Sequence, residues 1–180
     1  SDAGNVTLQT GVGAISITGS GSDGAAGTST GNRHGLVVYG GNANDVITVK
    51  SHSGAITLTG TAAFNHSNND VSGIQFQNNN NNITSSRILV VSQTGQISLQ
   101  GSTINAANGQ YNNAIRFTPG DVANAIRIGF DGTNAYSGNI LIQGDSILQR
   151  NNLSSTGSIS VQSMGTLTFQ SSGNTFTHLR

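Results

Sequence analysis

The segment GAISITG, from Gly13 to Gly19, returns as GAITLTG at Gly54, GQISLQG at Gly95 and GNILIQG at Gly138, in steps of 41, 41 and 43 residues. Self-similarity at such a period constrains the fold more than any other property of the chain. It implies units that cannot bury an apolar face alone and do so by stacking on their copies.

Two further segment types fill each period. A second type runs through GLVVYG (Leu36), GIQFQN (Ile74), AIRFTP (Ile115) and SISVQS (Ile159). A third comprises NVTLQT (Val6), VITVKS (Ile47), ILVVSQ (Ile88), AIRIGF (Ile126) and TLTFQS (Leu167). All three types read apolar-x-apolar, the period-2 pattern of a strand with one buried face. The step from a third-type segment to the next first-type segment is 9 residues from Val6, Ile47 and Ile88. Carried on from Leu167, that step places Phe176 in the first type and His178 at the next inward position. From Ile126 to Ile140 the step widens to 14, because DGTNAYSGN adds turn residues.

Strands that recur in register pair in parallel with their equivalents one turn later, about 4.8 Å away. The expected fold is therefore all-β: a three-sided parallel β-helix, or β-solenoid, over residues 1–180 as one domain. The spacing gives about four turns of roughly 41 residues. Parallel crossovers favour a right-handed coil. Glycines flanking the strands are expected to close corners. The connection from first to second type is long (for example SGSDGAAGTSTGNRH), so one edge carries a long loop per turn. Phe64, Ile104 and Ile147 follow soon after a closing Gly and are expected to anchor these loops. An antiparallel sandwich also has many short strands, but it does not require three segment types at fixed spacing.

Composition agrees. The chain has no Cys, Glu or Trp, and Lys50, Pro119 and Met164 are the only residues of their kinds. Gly, Asn, Ser, Thr, Val and Ile are turn and strand formers, so essentially no helix is expected. The net charge of +0 gives no basic footprint for nucleic acid. No run approaches the roughly 20 apolar residues of a membrane span. The polar start SDAGNV shows no signal peptide and reads as a mature chain or a fragment. Absence of Cys excludes a disulfide framework and thiol-bound metal.

The segments GAITLTG, GQISLQG, GNILIQG and TGSISVQS, with Asn- and Gly-rich turns, resemble the filamentous-haemagglutinin type of bacterial exoprotein, including two-partner-secreted and autotransporter-like adhesins. The resemblance spans nearly the whole chain, although that family's usual turn is about half this period. It implies a secreted or cell-surface fibre used in adhesion, biofilm or cell–cell contact. It brings no catalytic residues and no cofactor. The implied partners are flanking repeats, further copies stacked end to end or side by side, and host or bacterial surface glycans.

Parallel β-helices also include polysaccharide-degrading enzymes, which cluster acids on one strand face. Here the acids are Asp2, Asp23, Asp45, Asp70, Asp121, Asp131 and Asp145. None form an i, i+2 outward pair, and Asp45, Asp70, Asp121 and Asp131 sit in turn contexts. No catalytic residue is expected. A glycan-binding or glycan-degrading module is the competing reading. Arg116 and Arg127, outward on two strands of one turn, are its candidate contacts with an acidic sugar. His34, His52 and His66 lie in loops without metal-ligand spacing. GSGSDG is a single copy of what stacked calcium turns require in tandem. The run Asn78–Asn82 reads as a polar turn. Sequons at Asn5, Asn65, Asn82 and Asn152 are candidate glycosylation sites. Outward Thr57 and Thr59 suggest ice binding, but Ser16/Thr18, Ser98/Gln100 and Leu141/Gln143 break that array.

Overall fold

The computed structural model of the chain describes residues 4–22, 33–41, 44–63, 71–78, 86–104, 112–149, 156–172 and 178–179. Among them every regular element is a strand. Five rungs of three strands follow one another along the chain. The first is β1 (Asn5–Thr10), β2 (Ile15–Ser22) and β3 (Arg33–Gly40). The second is β4 (Val46–Ser51), β5 (Ile56–Ala63) and β6 (Val71–Asn78). The third is β7 (Arg87–Ser92), β8 (Ile97–Ile104) and β9 (Asn112–Thr118). The fourth is β10 (Ile126–Ile128), β11 (Ile140–Gln143) and β12 (Ser146–Gln149), and the fifth is β13 (Ile159–Val161), β14 (Leu167–Gln170) and β15 (His178–Leu179).

Like strands stack into three five-stranded sheets, ordered β1-β4-β7-β10-β13, β2-β5-β8-β11-β14 and β3-β6-β9-β12-β15. Every strand pairing is parallel. This is the architecture of a parallel β-solenoid, and the 41-residue register holds through the first rungs, with Ile15 opposite Ile56 and Ile56 opposite Ile97. Inward pairs from all three sheets merge into one apolar core, which includes Ile56, Leu58, Ile74, Phe76, Ile88, Val90, Ile97, Leu99, Ile115, Phe117, Ile126, Ile128, Ile140 and Ile142. Within it the rings of Phe76 and Phe117 stack with centroids 5.3 Å apart at 13°, the parallel-displaced geometry that aromatic pairs favour.

The last two rungs differ from the spacing-based expectation. Ile159 pairs with Ile126, so Ile159 and Val161 belong with the third-type segments, not the second. Leu167 and Phe169 pair with Ile140 and Ile142, so they complete the first-type sheet. The second-type strand of the fourth rung is β12. Its Ile147, expected to be a loop anchor, faces Ile115 as a core residue. The cause is a missing excursion: only Gly144 and Asp145 separate β11 from β12, where the equivalent strands of the first three rungs lie 10, 7 and 7 residues apart. The coil therefore makes five passes, one more than about four. Phe176 lies outside the described residues, and its expected place in the first-type sheet is held by Leu167. His178 falls in the second-type sheet, opposite Ser146. Phe64 also lies outside the described residues, while Ile104, expected to be an anchor, is half exposed at the end of β8.

Two glycine columns serve roles other than simple corner closure. Strands β2, β5 and β8 run straight through Gly19, Gly60 and Gly101 before the chain leaves the coil. At that point the outgoing strand crosses the returning one. A Cβ on Gly60 would meet the Gly73 carbonyl, and one on Gly101 would meet the Ala114 carbonyl. These glycines let the two backbones touch at the neck of each excursion.

The other column is Gly13, Gly54, Gly95 and Gly138, each added Cβ of which, after the first, would strike the carbonyl of the glycine one rung earlier. A hydroxyl locks this corner. Ser92 Oγ accepts from Gly95 N at 3.1 Å and donates to the Gly54 carbonyl one rung away at 3.0 Å. Ser163 repeats the device, accepting from Gly165 N at 2.8 Å and donating to the Gly138 carbonyl at 2.6 Å. Thr10 Oγ1 accepts from Gly13 N at 3.1 Å in the first rung. Ser92 and Ser163 thus each satisfy a turn and tie two rungs together, which for the buried Ser92 offsets its desolvation.

Gly95→Ala should lower stability by about 1–3 kcal/mol through backbone overpacking. Gly11→Ala, where an added Cβ meets nothing within 4 Å, should stay within about 0.5 kcal/mol. Thermal or denaturant unfolding followed by circular dichroism distinguishes the two, and equal effects contradict the steric account.

Candidate functional site

The two arginines singled out by sequence lie on adjacent faces, and neither is a simple solvated side chain. Arg116 sits on β9 between inward Ile115 and Phe117, so it does project from the outer face. Yet it is only 5 % exposed, which corrects the expectation of an open outward cation. Its neighbours across the sheet are Gln75 on one rung and Leu148 on the other. Gln75 and Thr118, on the same outer face by strand parity, are also buried. Gln75 Nε2 donates to Gln77 Oε1 at 2.8 Å along the strand. Strand parity says which way Arg116 points but not what covers that face, so its burial was not legible from sequence.

Arg127 lies on β10, the third-type strand of the fourth rung. Its guanidinium serves the chain itself. Nε donates to the Asn124 carbonyl at 3.0 Å and Nη1 to the Asp131 carbonyl at 2.9 Å. The group stands over the Phe130 ring, 5.7 Å from its centroid, within cation–π range. Partial burial and the nearby Arg87 lower its pKa, opposed by Asp131.

The corner that Arg127 supports is a small hairpin built from the extra turn residues of DGTNAYSGN. Phe130 and Ala135 form an antiparallel bridge, and Gly129 and Gly132 take φ of 72° and 110°, which glycine adopts without strain. Asp131 Oδ1 accepts from Thr133 N and Asn134 N, both at 2.8 Å. This is an Asx turn, as the D-G-T-N sequence permits. Tyr136 Oη donates to Asp131 Oδ2 at 2.5 Å. The Tyr136 hydrogen bond, followed by those from Asn134 and Thr133, holds the Asp131 carboxyl well below the usual carboxylate range. The same bond pushes the Tyr136 phenol up. The pairing of Asp131 with Tyr136 was not foreseen, although the turn was.

The remaining candidates disperse. Asn5 is exposed on β1, whereas Asn65, Asn82 and Asn152 lie outside the described residues, as does His66. Asp45 is buried and accepts from Gly4 N at 2.7 Å, joining the first rung to the second. Among the described residues no three His, Asp or Glu side chains come close enough to hold a metal ion, and no helix is long and apolar enough to cross a membrane. What the described residues offer a partner is extended surface: outer faces rich in Ser, Thr, Asn and Gln. No protein-family model matches the chain, and no curated protein or solved structure matches it either.

Because the folded-state Asp131 pKa is depressed, its contribution to stability is complete above the unfolded value of about 3.9 and is lost as pH falls through the folded value. The hairpin should therefore hold at neutral pH and loosen only in acid. Tyr136→Phe should move the Asp131 midpoint upward, toward its ordinary range. A carboxyl-carbon NMR titration reads this directly, and an unmoved midpoint contradicts the assigned hydrogen bond.

Proposed function

We propose that this chain is a segment of a non-enzymatic structural and adhesive fibre, a right-handed β-solenoid with a basic period of roughly 41 residues. The reading places it outside the cell or on the surface of a bacterium, as the resemblance to filamentous-haemagglutinin-type exoproteins implies. The observation that carries it is the stack itself: three sheets of parallel strands, each paired with its equivalent one rung away, enclose one continuous apolar core. Such a coil is an extended, repetitive scaffold, as a fibre requires. A long solenoid presents its outer faces and excursions many times over, and weak surface contacts gain avidity by repetition.

The competing reading, a glycan-degrading or glycan-binding module centred on Arg116 and Arg127, loses support from geometry. One guanidinium is buried and the other is spent on the Asn124 and Asp131 carbonyls. Glycan contact, if part of the adhesive role, falls to the polar outer faces and the excursions.

Arrays of host and bacterial surface glycans, followed by a reducing-sugar assay on those retained, test the assignment. Retention without new reducing ends is expected. Release of reducing ends overturns the fibre reading in favour of an enzyme.

A further inference from the structure

Asp131 is followed by Gly132, and an Asp-Gly step carries a chemistry of its own. The main-chain nitrogen after an aspartate can attack the side-chain Cγ. A carbon–nitrogen bond forms, and the nitrogen's proton leaves with the carboxyl hydroxyl as water, which closes a five-membered succinimide. Water then adds to either ring carbonyl. Opening at one restores aspartate. Opening at the other gives isoaspartate, whose main chain runs through Cγ and whose α-carboxyl is set free. Glycine in the second place has no side chain to obstruct the attack. The chain has this step at Asp23 and Asp131, and Asp23 lies outside the described residues.

The geometry at Asp131 both exposes the step and restrains it. Gly132 is exposed in the hairpin, with φ of 110°. Ring closure needs a neutral carboxyl, since a carboxylate offers no leaving group, and one free to turn toward the nitrogen. Here Oδ1 is held by the amides of Thr133 and Asn134, each at 2.8 Å, and Oδ2 by the Tyr136 hydroxyl at 2.5 Å. Turning the carboxyl breaks these bonds, and donors to a carboxylate favour its ionised form.

Two of these donors belong to the turn itself, but the hydroxyl is brought by the stack. The Tyr136 amide donates to the Gly129 carbonyl at 3.0 Å, and its carbonyl accepts from Met164 N of the fifth rung at 2.9 Å. The amide of Ser137 donates to the Gln93 carbonyl of the third rung at 3.0 Å, and Gln93 also hydrogen-bonds the phenol. Arg127 on β10 stands beside this corner, with Arg87 beyond it on β7.

We infer that Asp131 is a site of isoaspartate formation kept closed by the Tyr136 hydroxyl. While the rungs on either side hold Tyr136 in place, the carboxylate stays engaged and the step persists. Where that contact is lost, the step isomerises. The change adds a methylene to the main chain of the hairpin and removes the acceptor of the Tyr136 bond. It also turns the Asp131 carbonyl, which accepts from Arg127 Nη1 at 2.9 Å, into a carboxylate. The modified hairpin therefore lacks the contacts that closed it. This inference stands apart from the fibre reading, since it concerns a covalent change in one corner of the coil.

The test uses the full chain. Unaltered protein, the same protein in denaturant and a Tyr136→Phe variant are incubated from mildly acid to neutral pH, a range in which Arg87 and Arg127 stay charged. Isoaspartate is counted by enzymatic methylation of its free α-carboxyl and located by fragmentation mass spectrometry. Isomerisation at Asp131 should be slower in the folded protein than in the unfolded chain. It should be about tenfold faster in Tyr136→Phe than in the unaltered protein, because a rise of about one unit in the carboxyl midpoint multiplies its neutral fraction about tenfold. The variant keeps the ring, so its circular dichroism spectrum should be unchanged, and the fall of its rate with rising pH should lie at higher pH. Equal rates in folded and unfolded unaltered chain overturn the proposal whatever the variant does. Equal rates in the variant and the unaltered protein also overturn it. So does a faster variant with an unmoved pH profile, which makes loosening of the hairpin, not loss of the bond, the cause.

Discussion

The parallel pairing of each strand with its copy one rung later is the interaction on which everything else depends. Strands of 2–8 residues have no independent stability, and a single rung encloses no core. Stacking supplies the backbone partners of each strand, closes the apolar columns and brings corner glycines close enough for Ser92 and Ser163 to bridge two rungs. A residue in an interior rung is buried by the rungs on either side of it rather than by its own. That is why Ile56 and Leu58 are fully buried while Val6 and Leu8, in equivalent columns, are about half exposed.

The same dependence explains where charge and irregularity are tolerated. The outer faces are mostly neutral and satisfy themselves along the strand, as when Gln100 Nε2 donates to Ser98 Oγ at 3.2 Å or Gln162 Nε2 to Ser160 Oγ at 2.8 Å. In the third-type sheet the cations Lys50, Arg87 and Arg127 occupy interior strands, where both neighbours are already fixed, whereas Arg33 lies on β3, an end strand of its sheet. Insertions occur at corners, where the chain can leave and return without changing the register of the columns. The Arg127–Asp131–Tyr136 hairpin is one such insertion: five residues longer than the equivalent corner, yet Ile140 still falls opposite Ile97.

Much of this was legible in the sequence. The apolar-x-apolar segments at regular steps specified the three sheets, the parallel pairing and the core columns for the first three rungs. The reading failed in the last two because all three segment types share one pattern, so only spacing tells them apart. Once the excursion between β11 and β12 disappears, spacing carries SISVQS and TLTFQS each into the wrong sheet, and Ile147 is mistaken for an anchor. The role of Gly60 and Gly101 was also hidden: glycine at a strand end suggests a corner, while here it permits two backbones to cross. Arg116 shows a further limit, since a single strand fixes the direction of a side chain but not what lies above it. The hydroxyl lock was present in the text as T-x-x-G or S-x-x-G ahead of β2, β5 and β8, and as S-x-G (Ser163, Gly165) ahead of β14, but its cross-rung half depends on the stack.

The account makes stability a property of position along the stack, and hydrogen exchange measured rung by rung on dilute protein tests it most directly. Amides of β5, β7 and β8 should exchange most slowly, with protection falling toward β1 and β2 at one end and β13 and β14 at the other. Uniform protection across all five rungs, or end strands that outlast the middle ones, would contradict a coil held together by rung-to-rung stacking.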